Sequence, residues 1–350
     1  MLRKIASLFL LGAMVACAPE DAVSADESVA RVSSAIIKGT ESGDTQDFVL
    51  QLGLETNGAI VSQCSSSLIA KNLLLTARHC VADLDEKTGT VSPSYEASRF
   101  TVYLGKDGPQ KIANGDEPDA RGKQVITQAG SSLFPDLALI VLDRDLDAPV
   151  ATIRLDDVPQ KKETVNVVGF GMNEYNENVQ VRMQKDAVVI TALAPEVTRY
   201  HSLHAGEFAM GEAACYGDSG GPALSGETNA IVGVASRVNS GVAATEANPN
   251  AMCVGAEDVF TSLRPFRPLV EAAFKAAGKK PKVEPTQVRT ASNNGGEAES
   301  TAYSTSAHLS AADDAGGGCS QTGSSTSSNV GTFALGLGLV LAARRRRQAA

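Results

Sequence analysis

Between residue 36 and about residue 277 the chain repeats one pattern: apolar runs of five to seven residues separated by clusters of Gly, Asp, Asn and Pro. Such runs occupy residues 48–54, 66–70, 73–77, 100–104, 137–142, 165–169, 187–191 and 231–235. These are strand lengths rather than helix lengths, and their spacing predicts an all-β barrel or sandwich. No helical pattern alternates with the strands, which disfavours a parallel α/β sheet. Only residues 263–277 carry apolar residues at helical spacing, predicting one terminal helix.

The flanks differ from this core. Arg3 and Lys4 precede an apolar stretch, residues 5–15, that closes on small residues before Cys17. This order predicts an export signal over residues 1–17, and Ala16-Cys17 resembles a bacterial lipoprotein box. Residues 278–318 turn to Lys, Pro, Ser, Thr, Ala, Glu and Gly, with few large apolar residues, and read as a disordered linker. Residues 319–350 run from Cys319 through a Ser-rich spacer to a short apolar stretch and Arg344 to Arg347. That order resembles the C-terminal sorting tags of Gram-negative bacteria, most closely the myxobacterial type. It implies a short transmembrane helix and a sorting protease as a partner, with membrane contact through the termini only. A net charge of -9 gives nucleic acid no electrostatic reason to bind. Export places the cysteines where disulfides persist. Cys64, Cys80, Cys215 and Cys253 lie in the β-patterned region, and four cysteines allow three pairings.

Three segments carry chemistry. Thr76-Ala77-Arg78-His79-Cys80 follows an apolar run, Asp136 opens another, and Gly217-Asp218-Ser219-Gly220-Gly221-Pro222 is a glycine-rich loop. A serine hydroxyl is a poor nucleophile at neutral pH; it needs a base to take its proton and an acid to fix that base's tautomer. His79, Asp136 and Ser219 supply these groups. Asp136 enters an apolar run, where a carboxylate needs a buried partner, and His79 can be that partner. The loop also fits the Gly-x-Ser-x-Gly elbow of α/β-hydrolases, but that fold places its Asp and His after the nucleophile. The sole histidine after Ser219 is His308, in the linker. His201 and His204 read as structural.

With these motifs in this order, residues 36–277 resemble the chymotrypsin and trypsin family of serine proteases, whose chemistry rests on a Ser-His-Asp triad. The sequence departs from Thr-Ala-Ala-His-Cys by Arg78, and Phe170 stands where the family has Trp. The resemblance implies two six-stranded antiparallel Greek-key barrels with a C-terminal helix, a monomer, and a secreted or cell-surface endopeptidase of protein or peptide substrates. It implies His79, Asp136 and Ser219 as the triad and the amides of Gly217 and Ser219 as the oxyanion hole. It implies disulfides Cys64–Cys80 and Cys215–Cys253. Ile36 resembles the family's mature terminus, so residues 18–35 read as a propeptide whose removal lets the Ile36 ammonium meet Asp218. Ala35 stands where family zymogens usually carry Arg or Lys.

By the same resemblance, Ala213, Ala214, Tyr216, Ser236, Val238 and Asp258 line the substrate pocket, in a set similar to leukocyte elastase. A small aliphatic P1 residue is expected, the alternative being that Asp258 is open and attracts Arg or Lys. No cofactor or metal is expected: Lys106 occupies the position of a calcium ligand, and Asp116, Glu117 and Asp119 read as a solvated loop. A binding module that retains the triad residues without turnover, and an esterase on the same fold, are the competing functions.

Overall fold

A computed structural model of the chain describes residues 36–175 and 180–286. The expected export signal, the propeptide, Cys17, Cys319 and the arginine-rich tail lie outside the described residues. Among the described residues, no helix is long and apolar enough to cross a membrane.

The strands, in chain order, are β1 (Thr40–Glu41), β2 (Val49–Thr56), β3 (Ala59–Ala70), β4 (Leu73–Thr76), the paired short strands β5 (Leu84–Asp85) and β6 (Thr90–Val91), β7 (Phe100–Tyr103), β8 (Ala120–Thr127) and β9 (Ala138–Leu142). They continue with β10 (Thr164–Gly169), β11 (Met183–Leu193), β12 (Glu207–Gly211), β13 (Pro222–Ser225), β14 (Ile231–Asn239) and β15 (Glu257–Ser262). Helix α1 (Gly108–Asn114) follows β7, and α2 (Arg267–Ala277) follows β15.

Two closed six-stranded antiparallel barrels result. The first has the order β2-β3-β4-β9-β8-β7, closed by the β2 and β7 pairing. The second has the order β10-β11-β12-β15-β14-β13, closed by β10 on β13, with β1 added along β11. Both barrels therefore follow one connection pattern: three strands run around, the chain crosses, and three strands return. Closure leaves no free sheet edge within either ring.

The residues explain the elements. All five residues of β9 are buried, as its unbroken apolar run requires, whereas β11 alternates, with Val188, Ile190 and Ala192 inward and exposed neighbours between them. One apolar core fills the first barrel and continues through Val168, Leu224, Ile231 and Val234 of the second onto α2. Helix α2 buries Val270, Ala273, Phe274 and Ala277, one face at helical spacing, and stops at Gly278 in the left-handed conformation (φ 67°). The short turn Arg264–Phe266 precedes it as a 3-10 helix, and Pro268 opens its first turn.

The segment expected to be a linker from residue 278 begins as part of the fold. Ile153 donates to the Lys282 carbonyl at 2.9 Å and accepts from Glu284 N–H at 2.9 Å, so residues 282–284 form a parallel bridge on Ile153. Arg154 clasps Glu284 there, both side chains 4 % exposed. Low apolar content hid this because the contact is made largely by backbone and by polar bonds to Glu284, with Val283 as its apolar contribution to the core.

Candidate active site

Strand β4 is wholly buried between β3 and β9, and it delivers His79 on the 3-10 turn Arg78–Cys80. The Cys64–Cys80 disulfide ties that turn to β3. Cys64, His79 and Cys80 put potential ligand atoms within 4.8 Å of one another, but both sulfurs are committed to the disulfide and offer no thiolate to a metal.

Asp136 sits immediately before Leu137 and β9, with no exposed surface. Its Oδ2 lies 2.7 Å from His79 Nδ1 and accepts from Ser236 Oγ at 2.7 Å; its Oδ1 accepts from His79 N–H at 3.1 Å. Burial alone would raise its pKa, yet the His79 charge and these hydrogen bonds outweigh burial and hold the carboxyl below its usual range. The same opposition acts on His79: burial lowers its pKa, and the Asp136 carboxylate more than restores it, leaving a net rise. An ionised Asp136 fixes the proton on Nδ1 and leaves Nε2 as the ring's available base. Ser236, expected to bind substrate, spends its hydroxyl on Asp136.

Ser219 lies on the loop between β12 and β13 of the other barrel. Its carbonyl accepts from Ser65 N–H of β3 at 2.9 Å, and Cys80 Sγ is 3.6 Å from the same oxygen, so the loop is docked where the disulfide holds the His79 turn. Gly217 (φ 98°) and Gly220 (φ 81°) both take left-handed backbone; a Cβ on Gly220 would meet Thr76 Oγ1 at 2.1 Å and the Ser65 carbonyl at 2.4 Å. Among the described residues, the Gly217 and Ser219 amides donate to no protein acceptor, while Asp218 N–H and Gly220 N–H do. These two donors, two positions apart on a loop bent at Gly217 and Gly220, are thus left without a protein acceptor.

Asp218 is buried and accepts from Gly171 N–H at 2.8 Å and Cys215 N–H at 2.9 Å. Burial pushes its pKa up to about 7 against those two amides, since it forms no ion pair among the described residues. Ile36 is itself buried in the second core beside Val165, Met183, Ala213 and Ala214, and Ile37 N–H donates to the Ala213 carbonyl at 2.7 Å. The terminus-like segment is thus seated against Ala213 and Ala214, and in the intact chain the Ile36 nitrogen is an uncharged amide.

Asp258 of β15 is fully buried. Its Oδ2 accepts from Ala213 and Ala214 N–H at 2.9 and 2.5 Å, and its Oδ1 has no partner. Burial raises its pKa to about 8. A carboxyl turned to the backbone and neutral near pH 7 is not an open anionic floor. Val238 stands opposite it in the β14 and β15 register and packs on the Cys215–Cys253 disulfide side as well as on the core. Tyr216 is 45 % exposed and contacts Met252 sulfur, which places it at the rim rather than in the floor.

A family profile described as Trypsin matches residues 36–254. The chain belongs to the trypsin family. It is 30 % identical over 177 residues to mannan-binding lectin serine protease 1 of Mus musculus, covering 45 % of this chain and 25 % of that one. It is 27 % identical over 252 residues to the suppressor of tumorigenicity 14 protein homolog of Bos taurus, covering 67 % and 28 %. It is 27 % identical over 218 residues to hypodermin-B of Hypoderma lineatum, covering 57 % and 76 %. The chain thus spans about a quarter of the length of the first two relatives. Among solved structures, a mutant of human heparin binding protein shares the fold at TM-score 0.51 and 17 % identity, covering 70 % of this chain and 100 % of that one.

Within this trypsin-family site, two contributors carry no motif in the sequence. Ser65 is buried; its hydroxyl donates to the Gly217 carbonyl at 2.9 Å and accepts from Phe170 N–H at 3.0 Å, fixing the peptide plane beside the unengaged amides. The run Ser65-Ser66-Ser67 inside a strand was the available signal. Arg237, next to Ser236, pairs with buried Glu207 and lies 5.1 Å over the Phe134 ring, which stacks on His204 at 3.6 Å. His201 is buried against the Glu257 carbonyl.

Proposed function

We propose that this chain is a serine endopeptidase working through an acyl-enzyme. The observation that carries the reading is Asp136, buried and ionised between His79 Nδ1 and Ser236, next to a loop that offers Ser219 with two unengaged amides. Ser219 Oγ attacks the scissile carbonyl while His79 Nε2 takes its proton. The carbonyl oxygen becomes an oxyanion held by Gly217 and Ser219 N–H, an effect worth about 2.7 to 4 kcal/mol of barrier per donor in such sites. Collapse breaks the C–N bond, and the proton on Nε2 passes to the leaving amine. Water, deprotonated by the same nitrogen, then attacks the ester and frees Ser219. Asp136 stays ionised throughout.

The intact chain is read as a zymogen. Asp218 carries a pKa of about 7 because no cation meets it, and hydrolysis between Ala35 and Ile36 would supply an ammonium there. The apolar walls of Ala213, Ala214 and Val238, with Asp258 turned away and neutral, support a small or medium aliphatic P1 residue, Val or Ala before Leu. Two disulfides support an oxidising compartment, and with the terminal sequences they support export and envelope attachment of a monomer.

A fluorophosphonate probe tests the reaction class. Processed protein with Ile36 at its terminus should be labelled at Ser219, and Ser219→Ala or His79→Ala should remain folded yet lose labelling and peptidase turnover by at least about a thousandfold. Turnover retained in either folded variant would show the assignment to be wrong.

A further inference from the structure

The residue beside the catalytic histidine has a use that the proposed reaction leaves unexplained. Arg78 is 4 % exposed, and its Nη1 donates to the Ser132 carbonyl at 2.6 Å while Nη2 donates to the Gly130 carbonyl. These partners satisfy two N–H groups and no charge. Arg78 forms no ion pair among the described residues. Asp136 opposes its charge only at longer range, and that carboxylate is already engaged by three donors from His79 and Ser236. Removing a guanidinium from water without a counter-charge costs several kcal/mol, which a structural strut made from a neutral side chain would avoid.

Arg78 borders a cleft of about 380 Å³. Its walls are Arg78 and residues 91–94 and 127–131, and no acidic side chain is among them. Ser94, Thr127, Gln128 and Ser131 line it with hydroxyl and amide groups that make no side-chain hydrogen bond among the described residues. A buried cation in the wall of a cleft lined by uncommitted donors, with no carboxylate in that lining, is the chemistry of an anion receptor.

We infer that this cleft is a binding site for a small oxoanion, a phosphate or carboxylate group, held by Arg78 and the hydroxyls of the 91–94 and 127–131 segments directly behind His79. Arg78 also grips Gly130 and Ser132, four to six residues before Asp136. An occupant therefore bears on the segments that carry both His79 and Asp136.

The test uses the full chain carrying Ser219→Ala, titrated with inorganic phosphate and, separately, acetate, at constant ionic strength set with sodium chloride. Thermal unfolding should rise saturably with at least one anion. At ten times its Kd the anion makes the folded state about tenfold more favoured, a Tm rise of about 3 °C for a domain of this size. Phosphate acting more strongly identifies a phosphate site, and acetate more strongly a carboxylate site. Arg78→Met should weaken the response at least tenfold. Because that variant can fail to fold, Ser131→Asp provides an independent arm: a built-in carboxylate between the two carbonyls that Arg78 grips should raise Tm without added anion and abolish the titration. A linear response of equal size in the parent and in Ser131→Asp would overturn the inference, as would a flat response to both anions in the parent.

Discussion

Two buried carboxyls, Asp258 and Asp218, accept from successive amides of the Ala213 to Cys215 backbone, and both are raised by burial, Asp218 to about 7 and Asp258 to about 8. Their effect on stability has a definite sign. In the unfolded chain each ionises near 3.8, so between that pH and the folded pKa the native state holds the extra proton. The stabilisation is therefore complete below pH 3.8 and is lost as pH rises to about 7 for Asp218 and about 8 for Asp258. Asp258→Asn keeps an acceptor for Ala213 and Ala214 but cannot ionise. In a Ser219→Ala full chain, it should flatten the fall of unfolding free energy between about pH 5.5 and 8 by up to about 1.4 kcal/mol per pH unit. Urea midpoints across that range give the slope; an unchanged slope means Asp258 is not protonated in the fold. Arg or Lys selectivity at P1 would need the opposite state, an ionised and open Asp258.

The seam between the barrels is made by β3 and the Ser219 loop, and Ser65 is its densest point. Its N–H holds the Ser219 carbonyl, its carbonyl accepts from Thr76 Oγ1 at 3.0 Å, and its hydroxyl bridges Phe170 N–H to Gly217. Ser65→Ala leaves the buried Phe170 N–H and the part-buried Gly217 carbonyl without that partner, at about 1 to 3 kcal/mol. If the lost bond frees the Gly217 peptide to turn, kcat per titrated site falls about tenfold with KM nearly unchanged. A lower Tm with kcat intact would reduce Ser65 to a packing role. The strands meeting at this seam differ in how far the sequence reveals them. The apolar half of β3, β4, β9, β10 and β14 announce themselves as runs, because both faces of those segments are covered. The outer half of β3, residues 59–63, and β8 with its Arg121, Lys123 and Gln124 carry no such signal, since most of their residues are wetted and the register comes from neighbours. The triad residues stood out by motif; Ser65 did not, because its role depends on a loop 152 residues away.

At the scale of the whole molecule, the last described segment closes the fold by a buried ion pair and a backbone bridge, with Val283 packed on the core beside them, which composition could not reveal. Arg154 stands just beyond Ile153 between the barrels; it donates to Glu284 through Nε and through Nη2 at 3.1 Å, and to Glu163 at 2.6 Å through Nη1. Thr228 donates to Glu284 as well, so the carboxylate joins the linker between barrels to the β13 and β14 turn. A buried pair of this kind adds little over an apolar replacement, yet removal of one partner strands the other charge. Here Glu163 still pairs with Arg154, so Glu284→Ala removes hydrogen bonds without stranding the charge and should lower unfolding free energy by roughly 1 to 3 kcal/mol. Truncation after Ala277 removes both the carboxylate and the bridge to Ile153, and should cost at least as much. Truncation after residue 286 retains them and should unfold at the urea midpoint of the full chain. If Glu284→Ala and the two truncations all share that midpoint, residues 279–286 lie on the barrels without stabilising them, and the domain ends at α2.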